Sequence, residues 1–200
     1  MMETRIFEYA ENQPVRIDLG CGGSKRPGYL GIDILPLGGV DYVVDLEKGL
    51  PFIPDNVVDE YYSSHFLEHV ENLGLILGEM HRTLKKDGLL HIVVPHHSNP
   101  YFYSDYTHKR FFGLYTFHYF AGENHHFRRN VPQYGDSFKC RIDRIQLIFR
   151  APHFPLINLF RKHVIQRIFN LNPRMQEIYE GFFTRVFSCY EIHYFLKVDK

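Results

Sequence analysis

The residues best suited to chemistry open near the start of the chain. Val15-Arg-Ile-Asp-Leu-Gly-Cys-Gly-Gly23 runs from a short apolar-leaning stretch straight into a glycine cluster, and Gly31-Ile-Asp33 follows. Glycines after a buried strand let the backbone turn sharply and approach a ligand, because no Cβ intervenes. An acidic residue closing the next strand can accept both hydrogen bonds of a ribose diol. The pair points to an adenosine-type ligand at the carboxyl edge of a sheet. Two common nucleotide sites are excluded. A dinucleotide fingerprint needs a third glycine where Lys25 stands, and its acidic partner lies about 20 residues on, whereas Asp33 is 11 beyond Gly22. No Gly-x-x-x-x-Gly-Lys-Ser/Thr occurs either, so a phosphate cradle is unsupported. What fits is a ligand with a ribose and no pyrophosphate.

A second chemistry competes. His65-Phe-Leu-Glu68-His69 matches H-x-x-E-H, which on a helix would put two imidazoles on one face to ligate zinc, with Glu68 as base. With 13 His in the chain, so short a pattern is readily met by chance. His96, His97, His108, His118, His125 and His126 crowd the middle of the chain, where they are either metal ligands or solvated and core-capping imidazoles.

The elements that must position these groups alternate along the chain. Val15–Leu19, Tyr29–Ile34, Asp41–Leu46, Val57–Ser64 and Leu89–Val94 read as strands. Leu73, Ile76, Leu77, Met80 and Leu84 share one helical face. Lys85 and Lys86 suit that helix's C-terminal dipole, and Gly88 a left-handed cap. From Pro95 to about Asp136 no period holds, so the stretch reads as a long functional lid with short helical pieces. Phe138–Phe149 and Ser188–Val198 alternate as half-buried strands do. Between them, Leu156–Phe169 and Met175–Phe187 have helical spacing, broken at Asn170-Leu-Asn-Pro173. These predict an α/β fold: a Rossmann-like open sheet, mostly parallel with an antiparallel last strand, helices on both faces. One domain would span 1–200, with a lid insertion at about 95–136 and a helical insertion at about 155–187.

Composition narrows the class. With 200 residues, 44% hydrophobic, the chain can bury one ordinary core. Its 23 basic and 23 acidic residues balance, which disfavours nucleic acid as a partner. Three scattered cysteines, with no C-x-x-C, fit a reducing cytoplasm rather than a disulfide frame or zinc knuckle. The first residues lack a basic region before an apolar core, so no signal peptide is expected, and no apolar run is long enough for a membrane span.

Five motifs in order carry a family resemblance across roughly residues 15–120. Asp18-Leu-Gly-Cys-Gly-Gly23 resembles the first motif of class I S-adenosylmethionine-dependent methyltransferases. Asp45-Leu46 with Leu50–Asp59 resembles their adenine-contacting segment. Ser63-Ser-His-Phe-Leu-Glu-His-Val70, Glu79–Gly88 and Asp105-Tyr-Thr-His-Lys-Arg-Phe-Phe112 resemble the later segments of methyltransferase type 11-like proteins, with a first helix much reduced here. The resemblance implies S-adenosyl-L-methionine as cofactor. It implies that Asp18, Gly20, Cys21 and Gly22 face its methionine part, Asp33 and Ile34 its ribose, Asp45 and Leu46 its adenine, with His65 alongside. Methyl transfer is a displacement at a sulfonium, so orientation and exclusion of water can supply much of the catalysis. Where the acceptor is a hydroxyl or ammonium, Asp105 or His108 could take its proton, and Arg110 could position it or close the lid. The acceptor expected is a small molecule, a sugar hydroxyl or a lipid-linked intermediate. Leu156–Phe169, basic and amphipathic, would either bury its apolar face on the sheet or lie on a membrane. The alternatives to methyl transfer are the zinc peptidase and a nucleotide-binding module without activity.

Overall fold

The computed structural model describes residues 7–9, 12–122, 127–133 and 137–200; His125, His126 and the Asp136 end of the expected lid lie outside them. Seven strands form one sheet: β1 (Arg16–Leu19), β2 (Leu30–Asp33), β3 (Tyr42–Val43), β4 (Val58–Ser64), β5 (Leu84–Pro95), β6 (Cys140–Ile148) and β7 (Glu191–Val198). Their order is β3-β2-β1-β4-β5-β7-β6. The first five run parallel, and β7 pairs antiparallel with both β5 and β6. The mostly parallel open sheet expected from the sequence is therefore present. Ile17, Leu19, Ile32, Tyr61, Ile92 and Val94 form its buried centre, apolar as central parallel strands must be.

Helix α1 (Leu73–Thr83) joins β4 to β5. Asn72 caps its start by accepting from the Leu75 amide, and Ile76, Leu77 and Met80 are buried. Its end differs from expectation. Leu84 is already extended, and β5 begins there rather than at Leu89. The pairing with β4 shifts between Val58 and Glu60, so the Lys85–Gly88 stretch bulges out of the ladder instead of capping the helix. The left-handed residue is Asp87, at φ 59°, and not Gly88. Gly88 is needed for space, since a Cβ there would meet Leu84 Cδ2 at 2.8 Å and the Lys85 carbonyl at 2.9 Å.

No helix forms between β1 and β2 or between β2 and β3. Carboxylates hold these parallel connections instead. Asp18 accepts from the Arg26 amide (2.8 Å), Asp33 from the Gly22 amide (2.9 Å), and Asp41 from the Gly31 amide and Lys25 (both 2.7 Å). Each supplies a partner that a helix would have provided from its own backbone.

The 95–122 stretch is more firmly packed than a loose lid. Phe102, Phe112, Leu114 and Phe117 are buried, and the Tyr194 hydroxyl donates to the Gly113 carbonyl at 2.6 Å. Between β6 and β7, α2 (Pro155–Phe160) continues through a π-helical turn (Arg161–Ile165) into α3 (Gln166–Phe169). Helix α4 (Pro173–Ile178) then leads into a second π-turn (Tyr179–Phe183). The amphipathic stretch does not bury its apolar face on the sheet. No residue of α2 is buried; Ile165 and Phe169 alone anchor this helical run.

A titration follows from β5. His91 stacks on Phe195 at 4.2 Å, with His193, Arg26 and Arg144 around it. Burial, then those three cations or imidazoles, pushes it down to about 4. A histidine held neutral in the fold contributes stability that is complete above its unfolded value near 6.5 and is lost as pH falls from there towards 4. Urea unfolding should show a loss of about 2 kcal/mol over that window, discounted for partial exposure. His91→Phe should remove that slope; an unchanged slope would assign it to other groups.

Candidate functional site

The carboxyl ends of β1, β2, β3 and β4 meet at one edge, where Leu19 pairs with both Ile32 and Ser63. There Gly20, Asp33, Ile34, Val44, Asp45, Leu46, Glu47 and Phe66 line a cleft of about 130 Å³. Gly20 and Gly22 have φ of +66° and +54°. Gly20 also has no room for a side chain: a Cβ would lie 2.3 Å from the Phe66 ring. A Cβ on Gly22 would meet nothing within 4 Å, so the far side of the loop is open to a ligand. Phe66 was not legible as a wall of this site. It follows His65, whose φ of +53° turns the chain after β4 and swings the next side chain onto the glycine loop.

The acidic residues divide by role. Asp33 closes β2 at the rim, its Oδ2 on the Gly22 amide and its Oδ1 on the Leu35 amide at 3.0 Å. A carboxylate offers about four acceptor directions, so two remain for a ligand. Asp45 caps a single 3₁₀ turn (Leu46–Lys48), accepting from the Glu47 amide, with Lys48 at 3.2 Å. Asp18 is buried beneath the loop; burial raises its carboxyl, while the Arg26 amide and the Arg26 and Lys25 charges oppose. Cys21 is half-buried, its thiol pushed up to about 11 by burial and by Asp18 and Asp33.

His65 is not among the residues lining that cleft. Its ring stands between two buried carboxylates, Nδ1 3.3 Å from Glu68 and Nε2 3.7 Å from Glu191. The Glu191 and Glu68 contacts outweigh burial and raise it to about 9. Burial would raise Glu191, but His193, His65 and Arg150 hold it at about 2. The 3.3 Å approach to Glu68 is an ion-pair contact without hydrogen-bond alignment, since both Glu68 oxygens lack such a partner. Residues 65–70 form turns and not a helix, so His65 and His69 do not share the helical face that H-x-x-E-H requires.

The segment bearing Asp105, His108 and Arg110 lies against this turn, with the Lys109 and Arg110 amides donating to the Glu68 carbonyl. His108 donates from Nδ1 to the Phe102 carbonyl at 2.9 Å, which leaves Nε2 as its lone-pair nitrogen, 3.6 Å from Asp105 Oδ2. Arg110 braces the turn, its guanidinium donating to the Val70 and Glu71 carbonyls. Glu68, His69 and His108 bring ligand atoms within 4.8 Å of one another, as do His96, His97 and Glu180. Ligand atoms around tetrahedral zinc lie about 3.4 Å apart; His69 Nε2 stands 3.9 Å from Glu68 and His96 Nε2 3.6 Å from Glu180. In the second, the Ser98 amide donates to His96 Nδ1, making Nε2 the protonated nitrogen and unfit to ligate.

Comparison with known proteins agrees with this arrangement. A methyltransferase domain family (type 11) matches residues 24–92. No curated protein matches the chain. Among solved structures, an S-adenosylmethionine-dependent methyltransferase from Archaeoglobus fulgidus superposes with a TM-score of 0.56 at 19% identity, over 94% of this chain and 87% of that one. The YcgJ protein of Bacillus subtilis gives 0.55 at 14%, over 94% and 92%. The [4+2]-cyclase SpnF gives 0.54 at 15%, over 93% and 76%, so likeness of fold fixes architecture and not reaction. Strand order, glycine loop and superposition together show that the chain has the fold of these S-adenosylmethionine-dependent methyltransferases, and residues 24–92 match their type 11 domain family.

Proposed function

We propose that the protein transfers a methyl group from S-adenosylmethionine to the hydroxyl of a sugar or other small metabolite. The observation that carries this reading is the cleft itself, with two glycines at positive φ facing a rim aspartate that has acceptor capacity to spare. In it Asp33 would take the ribose hydroxyls. The apolar walls Ile34, Val44, Leu46 and Phe66 would cover the adenine, and the open side of Gly22 would take the methionine part. At about 130 Å³ the cleft is smaller than the roughly 300 Å³ of ordinary ligand sites, which suits the nucleoside end alone. Bound there, the cofactor supplies an electrophilic methyl on a sulfonium that leaves without protonation.

The chain's own work is to orient and to move a proton. His108 Nε2, its lone pair fixed by the Nδ1 bond to Phe102, would accept the acceptor's proton, and Asp105 would stabilise the imidazolium. Arg110 would act as a brace for the turn rather than as an acceptor clamp. The test is thermal unfolding with each nucleotide. S-adenosylmethionine and S-adenosylhomocysteine at about a hundredfold over Kd should raise Tm by on the order of 5 °C, since binding adds about 2.7 kcal/mol. NAD and ATP should leave Tm unchanged; equal stabilisation by NAD would defeat the proposal.

A further inference from the structure

The insertion between β6 and β7 leaves many large apolar side chains uncovered. Leu156 and Phe182 are 84% and 79% exposed, and Phe154, Leu159, Leu171 and Val186 are each more than half exposed. Folded domains seldom leave so many large apolar side chains in water on one insertion, so such a surface marks an interface. The helices are held in this pose from behind. Ile165 and Phe169 are buried, and the Arg161 guanidinium donates to the Arg150 and Ser188 carbonyls.

Charge says what covers the surface. From Pro155 to Phe183 the chain has four Arg or Lys and two acids, although the whole chain is neutral. Both acids are engaged away from this face, Glu177 accepting from the Tyr115 hydroxyl and Glu180 from the Leu114 amide. Lys162, Arg167 and Arg174 are exposed among the apolar residues. A protein partner burying this face would have to desolvate those cations. An anionic lipid surface accepts both features, with apolar side chains below the headgroups and cations beside the phosphates. No helix among the described residues is long and apolar enough to cross a membrane, so the contact lies in the plane of the surface.

Topology places this surface by the cofactor edge. Ile148 ends β6 and pairs with Glu191, which starts β7 and pairs with Pro95 at the end of β5. The α2–α4 insertion thus leaves and rejoins the sheet at the same edge as the carboxyl ends of the parallel strands. The exposed Tyr101 of the 95–122 stretch meets His153 at the insertion's root, ring centroids 6.5 Å apart.

We propose that α2–α4 dock the protein on an anionic lipid bilayer, Leu156 and Phe182 entering the headgroup layer while Lys162 and Arg167 meet lipid phosphates. This turns the sheet edge that bears the cleft towards the bilayer, and it stands whether or not methyl transfer is the reaction. The experiment is cosedimentation with vesicles of phosphatidylcholine alone and of equal parts phosphatidylcholine and phosphatidylglycerol. The protein should partition onto the mixed vesicles at least about tenfold better. Leu156→Ser/Phe182→Ser should lower that partition by about tenfold or more with Tm unchanged, because both side chains are exposed. Lys162→Glu/Arg167→Glu should abolish the preference for anionic lipid. Absence of binding to either vesicle, or binding unaltered in the Leu156/Phe182 variant, overturns the proposal. So does a stable dimer that Leu156→Ser dissociates while vesicles bind nothing, which would give the face to a second copy.

Discussion

Asp33→Ala should weaken S-adenosylhomocysteine binding by on the order of a hundredfold or more. Two charge-assisted hydrogen bonds to a diol contribute roughly 1.5–3 kcal/mol each, and each 1.4 kcal/mol is tenfold. The structure adds a second route to the same loss. Asp33 also holds the Gly22 amide at 2.9 Å and the Leu35 amide at 3.0 Å, so the alanine variant frees the loop that must approach the ligand. A rim carboxylate carries no core packing, so the stability cost rests on its hydrogen bonds. With two backbone donors released, a loss of about 1–2 kcal/mol is now expected. Asp33→Asn separates the effects, since its side-chain oxygen can keep one amide while the charge is gone. His108→Ala is the contrast: it should spare cofactor affinity and slow transfer. Calorimetric titration decides, and normal affinity in Asp33→Ala would remove the ribose role.

Gly20→Ala should be the most damaging single-methyl change in the protein. The added Cβ would sit 2.3 Å from one Phe66 ring carbon and 2.5 Å from Phe66 Cβ, on backbone at φ +66°. Overpacking costs about 1–3 kcal/mol, and a non-glycine residue at positive φ adds about 1 kcal/mol more. The Phe66 backbone follows the constrained turn at His65, so the ring cannot retreat without moving the end of β4. We expect a loss of at least about 3 kcal/mol in urea unfolding and no measurable cofactor binding. Phe66→Gly in the same chain removes both the ring and the Cβ at 2.5 Å, and should recover part of the stability while the backbone term stays. A double-mutant cycle gives the coupling directly, and additive losses would show that the two residues do not touch.

The sheet was legible because its strands are short, apolar and punctuated by glycine or proline, and a buried parallel strand admits little else. The place of Asp33 was legible for a related reason: it closes a buried strand beside a glycine loop, and that edge is where the cleft lies. Phe66 was not, because its position depends on one left-handed residue, and nothing local marks His65 as left-handed. The end of α1 misled through Gly88, which looks like a cap yet is required by crowding against Leu84. The bracing by Arg110 was not legible because its partners are carbonyls, and carbonyls leave no trace in a sequence. The amphipathic 156–169 stretch shows one apolar face to any reader; periodicity cannot say whether a sheet or some other surface meets it.

Strand order has a consequence for the nascent chain. β7 is the last of the seven strands to leave the ribosome, yet it lies in the interior of the sheet, between β5 and β6. During synthesis β5 is complete about 95 residues before its partner arrives, so one edge of an apolar strand stands open throughout that interval. Open apolar edges template pairing between chains. The cofactor-binding half can assemble first, but the growing chain has to be shielded until β7 slots in, and crowded polysomes are where its losses to aggregation should concentrate.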